Sequence, residues 1–138
     1  MPPPEPLVGI VIVSHSARLA EGVLELAVQM AGPELRLVAV GGGPDGSLGT
    51  DASRIADAIR EADSGAGVVV LGDLGSAILA SQAALEMLPA DLGGRVRISG
   101  GPVAEGSVLA AVQASIGESL QQVLDAAGSA RDLDKGAG

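Results

Sequence analysis

The sequence predicts an α/β domain built on a doubly wound, mainly parallel sheet of four strands, order 2-1-3-4, with helices on both faces. Three observations carry this reading. Short apolar runs without polar alternation recur along the chain, as in strands buried on both sides. A helical pattern follows each run. No tight hairpin signal joins any neighbouring pair, so the connections are parallel crossovers. Right-handed crossovers then make the flavodoxin-like order the natural one.

The first run, residues 7–13, holds seven mostly branched apolar residues and ends in Ser14-His15-Ser16. Leu19, Val23, Leu26 and Met30 follow at spacings of four, three and four, which is one face of a helix that Gly32-Pro33 ends. Residues 35–40 read as a second strand, more exposed than the first because it contains Arg36. The glycine-rich stretch 41–49 is a loop. Thr50 or Asp51 caps the next helix, whose apolar face is Ile55, Ile59 and Ala62. Residues 67–72 form a third, wholly apolar strand. Asp73-Leu74-Gly75-Ser76 turns into a helix carrying Ile78, Leu79, Ala83 and Met87. Residues 95–98 form a short fourth strand. One long final helix is expected over residues 104–127, with Gly117 inside it as a bend or close contact.

With 138 residues, 47% of them hydrophobic, the chain has the size and composition of one globular domain. That domain is expected over residues 7–128, with residues 1–6 and 129–138 as flexible termini. Phe, Tyr and Trp are absent, so the core is Val, Ile, Leu, Met and Ala. Eight basic residues against 17 acidic ones, a net charge of −9, argue against a nucleic-acid groove or an anionic membrane surface. The absence of cysteine excludes disulfides and thiolate chemistry and fits a cytoplasmic location. The start lacks the pattern of a signal peptide, and no apolar stretch approaches the roughly 20 residues of a membrane helix.

The strand order locates a candidate site. Winding reverses between strands 1 and 3, so their C-terminal ends flank a crevice, with His15 at one end and Asp73 at the other. His15 is the only histidine. A carboxylate that accepts from one ring nitrogen fixes the tautomer and leaves the other nitrogen as the better nucleophile. The turn into the third helix offers amides and the Ser76 hydroxyl to an oxyanion or phosphoryl group, and Gly49-Thr50-Asp51 opens a helix at the same edge. These features suit a phosphohistidine. Against them stands the plain alternative of a loop histidine and an ordinary helix cap; Thr50, Asp51 and Ser76 taken singly read as caps.

Other chemistries lack their parts. Ser76 does not sit in a Gly-x-Ser-x-Gly elbow. A receiver domain needs an acidic pair after the first strand and a lysine after a fifth, whereas the only lysine is Lys135. The Gly-x-Gly-x-x-Gly fingerprint is missing after the first strand. One histidine without cysteine makes a poor metal site, and no metal or cofactor is implied.

The stretch Val11-Ile12-Val13-Ser14-His15-Ser16, with Leu19-Ala20-Glu21-Gly22 and Gly49-Thr50-Asp51, carries a resemblance to a known family. Gly72-Asp73-Leu74-Gly75-Ser76-Ala77 and Gly101-Pro102-Val103-Ala104-Glu105-Gly106 extend it over roughly residues 7 to 127. The chain resembles the phosphocarrier subunits of phosphoenolpyruvate-dependent dihydroxyacetone kinase, a branch of the mannose-type IIA domains of the sugar phosphotransferase system. The resemblance implies that His15 accepts phosphate from HPr and passes it to ADP in the nucleotide-binding subunit of the kinase. Asp73 would orient His15, and Gly75, Ser76 and Thr50 would bind phosphate. It further implies a homodimer and no kinase activity from this chain alone. Two alternatives stay open: a IIA component of a mannose-type sugar transporter, with a IIB protein as acceptor, and a non-catalytic regulatory module on the same fold.

Overall fold

A computed structural model describes residues 5–136. Residues 1–4 and 137–138, parts of the expected flexible termini, lie outside the described residues. Four strands, β1 (Gly9–Ser14), β2 (Leu37–Gly41), β3 (Val68–Gly72) and β4 (Val96–Ser99), form one parallel sheet in the order β2-β1-β3-β4. Ile12 stands opposite Ala39 on one side and Leu71 on the other. The helices are α1 (Ala17–Val28), α2 (Ala52–Ala62), α3 (Gly75–Leu85), α4 (Ala90–Gly93), α5 (Val103–Ser115) and α6 (Leu120–Ser129), followed by a 3-10 turn, Ala130–Asp132.

Alternate residues of each inner strand serve opposite layers, as the pleat requires. Val11, Val13, Val68 and Val70 pack with Ile55 and Ile59 of α2 and with Ala77 and Ala84 of α3. Ile10, Ile12, Val69 and Leu71 pack with Val23 and Ala27 of α1, Ala110, Ala111 and Ala114 of α5, and Val123 and Ala127 of α6. Burial of each Ile or Leu contributes about 1.5–3 kcal/mol. β2 is an edge strand, and its Leu37, Val38 and Ala39 are only half-buried, in line with the exposure its arginine implied. On the other edge, Arg97 of β4 is exposed and its guanidinium donates to the carbonyls of Gly94 and Val96, both at 3.0 Å.

Three sequence expectations need correction. The long final helix is two helices, α5 and α6. Gly117 adopts φ +84°, a left-handed conformation that ends the first, and Ser119 opens the second with a reciprocal capping box to Gln122. The apolar stripe expected on α1 is mostly on the outside. Ala20, Val23 and Ala27 face the sheet, while Leu19, Leu26 and Met30 are 45–51% exposed. α3 shows the same inversion, with Ala77, Ser81 and Ala84 inward and Leu79 outward, while Met87 lies exposed beyond the helix end. Both helices approach the sheet through small side chains, a closeness that leucine would prevent. In α2, by contrast, Ile55, Ile59 and Ala62 are buried as their spacing indicated. The cap of α2 is Asp51, whose carboxylate accepts the Ser53 N–H at 3.0 Å. The short α4 carries no sequence signal of its own.

Candidate active site

β1 ends at Ser14 and the chain bends at His15 into α1, where the Ser16 hydroxyl caps the helix by accepting the Leu19 N–H. Asp73 follows β3 directly, and its N–H donates to the Val13 carbonyl at 3.2 Å, extending the β1–β3 ladder by one bond. The strand order thus delivers both residues to one edge of the sheet.

There the Asp73 carboxylate gathers four donors. Oδ1 accepts from His15 Nδ1 at 2.9 Å and from the Leu74 N–H at 2.7 Å. Oδ2 accepts from the Ser14 hydroxyl at 2.8 Å and from the His15 N–H at 3.0 Å. Burial opposes ionisation of Asp73. The bonds from the His15 ring, Ser14, and the His15 and Leu74 amides outweigh it, and its pKa lies below the ordinary carboxylate value. An ionised carboxylate only accepts, so the ring nitrogen facing it is the protonated one. In the neutral imidazole the unprotonated nitrogen is then Nε2, which faces the Ser76 hydroxyl at 2.5 Å. The His15 side chain is 23% exposed and that of Asp73 10%, so the nucleophilic edge is open while its support is covered.

Ser76 lies in the first turn of α3, a helix with no side-chain N-cap. Gly75 is exposed, and a Cβ there would meet nothing within 4 Å, so space is open beside its Cα. A helix start of this kind favours negative charge. A cleft of about 320 Å3, lined by Asp73, Gly75, Ile78, Ser99 and Gly101 among others, runs beside Asp73 between the exits of β3 and β4. A larger cleft of about 400 Å3, between Gly100 and α6, contains none of these four site residues: His15, Asp73, Gly75 or Ser76.

The glycine-rich loop plays a part that its composition concealed. Gly41 packs so closely on the turn after His15 that a Cβ would stand 2.6 Å from the Ser16 carbonyl oxygen and 2.9 Å from Ala17 Cα. Arg54 of α2 donates to the carbonyls of Gly41, Gly42 and Gly43 at 3.0–3.3 Å. At the far end of the loop, the Gly49 N–H donates to the His15 carbonyl at 2.9 Å. His15 is therefore held through its ring, its N–H and its carbonyl.

Of the residues expected at the site, the structure brings His15, Asp73, Ser76 and Gly75 together. Thr50 is half-buried next to Gly49, and its side chain makes no hydrogen bond to any described residue. The sequence reading gave no role to Ser14, Gly41 or Arg54, and placed Gly49 at this edge without its bond to His15. For Ser14 there was a signal: a polar residue closing an otherwise apolar run. Among the described residues, no group of three or more His, Asp or Glu side chains is placed to hold a metal ion. No helix among them is long and apolar enough to cross a membrane.

The chain is similar to known proteins in sequence and in fold. The family model described as the PTS system fructose IIA component matches residues 9–124. The phosphoryl donor subunit of PEP-dependent dihydroxyacetone kinase 2 from Listeria innocua is 38% identical over 118 residues, covering 86% of this chain and 94% of that protein. The corresponding subunit from Escherichia coli is 39% identical over 121 residues, but the match spans only 26% of its length. A solved crystal structure, described as unknown function protein EF1359, superposes with a TM-score of 0.83 at 37% identity, covering 96% of this chain and 99% of that one.

Proposed function

Because the chain belongs to the PTS fructose IIA family, and within it to the phosphoryl donor subunits of PEP-dependent dihydroxyacetone kinase, we propose that it is a phosphohistidine relay acting through His15 Nε2. One observation carries the reading: the Asp73 carboxylate takes Nδ1, which leaves the Nε2 lone pair facing the crevice.

In the step we envisage, Nε2 attacks the phosphorus of a phosphohistidine on HPr. The new N–P bond forms as the donor's N–P bond breaks, and the donor imidazole leaves. The Nδ1 proton stays where it is, and Asp73 offsets the positive charge that develops on the ring. Ser76 Oγ stands against the Nε2 lone pair, on the line along which phosphorus must approach. The hydroxyl therefore swings aside and becomes a donor to the phosphoryl oxygens, together with the amide of Gly75 and with Thr50 at the same edge. In the second step a terminal phosphate oxygen of ADP, bound in the nucleotide-binding subunit of the kinase, attacks phosphorus and releases the Nε2 lone pair, forming ATP. On this reading the chain alone does not phosphorylate dihydroxyacetone from ATP: the Gly-x-x-x-x-Gly-Lys loop of nucleotide-dependent phosphoryl transfer is absent from the sequence, whose only lysine is Lys135.

On the same reading the protein works in the cytoplasm as a homodimer. Supporting the dimer is an apolar groove of about 390 Å3 between α1 and α5, lined by Leu26, Val108, Leu109 and Leu133, with Leu26 and Leu133 about half exposed.

The test is labelling with phosphoenolpyruvate, enzyme I and HPr. One acid-labile, base-stable phosphate is expected per chain, absent in His15→Ala and drained by the nucleotide-binding kinase subunit with ADP. Drainage by a IIB protein instead would make the chain a sugar-transporter component. Phosphate on Ser76 or Asp73 would overturn the mechanism.

A further inference from the structure

Ser14 is the last residue of β1, and its side chain is completely buried. Every other residue of that strand is apolar, and an alanine would satisfy the packing, so the hydroxyl is there for its bonds. Their direction is forced. The Ser16 N–H can only donate, and it donates to Ser14 Oγ at 3.0 Å. The Asp73 carboxylate can only accept, so the Ser14 O–H points at Oδ2. A one-way chain thus runs from the amide at the start of α1, through Ser14, to the carboxylate, which accepts the His15 ring proton on its other oxygen.

We propose that Ser14 is a positioning residue for phosphoryl transfer: it locks the Asp73 carboxylate in the rotation that keeps the proton on His15 Nδ1 and the lone pair on Nε2. The proposal rests on the relay reading above. The carboxylate turns freely about its own bond unless both oxygens are engaged. Oδ1 holds the ring and the Leu74 amide, while Oδ2 has only Ser14 and the His15 amide to oppose rotation. Without the hydroxyl, Oδ2 loses half its donors and the Ser16 N–H loses its acceptor. The carboxylate is then freer to rotate, and Oδ1 no longer stays opposite Nδ1 as the fixed acceptor of its proton. Both ring tautomers then become populated, and only one of them is a nucleophile at Nε2.

The experiment compares Ser14→Thr, which keeps the hydroxyl, with Ser14→Val, which has nearly the same shape without it; both are β-branched and suit a strand. The single histidine makes the readout direct, since a 15N spectrum of the imidazole contains one ring. Wild type and Ser14→Thr should both show an unprotonated Nε2 and a protonated Nδ1. Ser14→Val should show averaged shifts. Its turnover number for phosphorylation by phospho-HPr should fall about tenfold or more, with KM for the donor unchanged. Identical ring spectra and rates for the two variants would overturn the proposal. Should wild type take no phosphate from the donor, the relay reading fails while the tautomer comparison still judges Ser14.

Discussion

His15 and Asp73, 58 residues apart in the chain, are joined twice: the carboxylate takes the ring Nδ1 proton at 2.9 Å and the backbone N–H of the same histidine at 3.0 Å. Ring and main chain are therefore referred to one anion. Asp73→Asn presents an amide donor in place of an acceptor, which draws the proton to Nε2 and removes the nucleophile. The fold should persist, and transfer from phospho-HPr should slow about ten- to a hundredfold, measured by rapid-quench labelling beside a thermal melt.

Gly41→Ala should damage the site from behind. Its Cβ would meet the Ser16 carbonyl and Ala17 Cα, both main-chain atoms that cannot rotate away. A loss of about 1–3 kcal/mol in denaturant-measured stability is expected. The His15 amide resonance should move more than those of β4, which lies on the far side of β3.

How much of this is legible in the sequence differs from residue to residue. The apolar runs 7–13 and 67–72 announce β1 and β3, because a strand covered on both faces has no polar side to show. The order of the runs is enough to bring His15 to Asp73. The faces of α1 and α3 are not legible, since periodicity assumes that the largest apolar residue lies inward. Here the sheet admits Ala20, Ala27, Ala77 and Ala84 and turns Leu26 and Leu79 out. Gly117 does not announce a break, because glycine is also tolerated inside helices; its positive φ decides the matter. The saddle at Gly41 depends on a contact between segments distant in the chain, and no local pattern records it.

The core should be intolerant of lost volume. Ile59 is fully buried between α2 and the sheet, in a core with no aromatic side chain able to tilt into a gap. Ile59→Ala should reduce unfolding free energy by about 2–5 kcal/mol in urea titration, whereas Leu79→Ala, on the exposed side of α3, should change it by less than about 0.5 kcal/mol.

Acid should weaken the protein through Asp63 as well as Asp73. Arg95 grips the Asp63 carboxylate with two bonds, at 2.7 and 3.1 Å. That grip, despite opposing burial and with help from the Gly65 amide, holds the group below the ordinary carboxylate value. A depressed folded-state pKa supplies stability above the unfolded value and loses it as pH falls through the folded one. The melting temperature should therefore drop steeply below about pH 4. In Asp63→Asn the curve should start lower at neutral pH and flatten across that acid window. Equal slopes for the two proteins would show that the pair contributes nothing.

The arginine on β4 bears on how the molecule behaves in a crowd. An open sheet has two outer strands, and each is a template on which another chain can add a strand of its own. Arg97 lays its guanidinium over the carbonyls of Gly94 and Val96, and Arg54 does the same for the Gly41 carbonyl at the end of β2. Each rim thus carries a charge that a stacking neighbour would have to strip of water. Arg97→Val would join Val96 to Ile98 through a third branched apolar residue, leaving an edge without a gatekeeper. Such a protein should fold and carry phosphate normally when dilute, yet seed fibrillar aggregates when concentrated, a liability that β4 now holds off with one side chain.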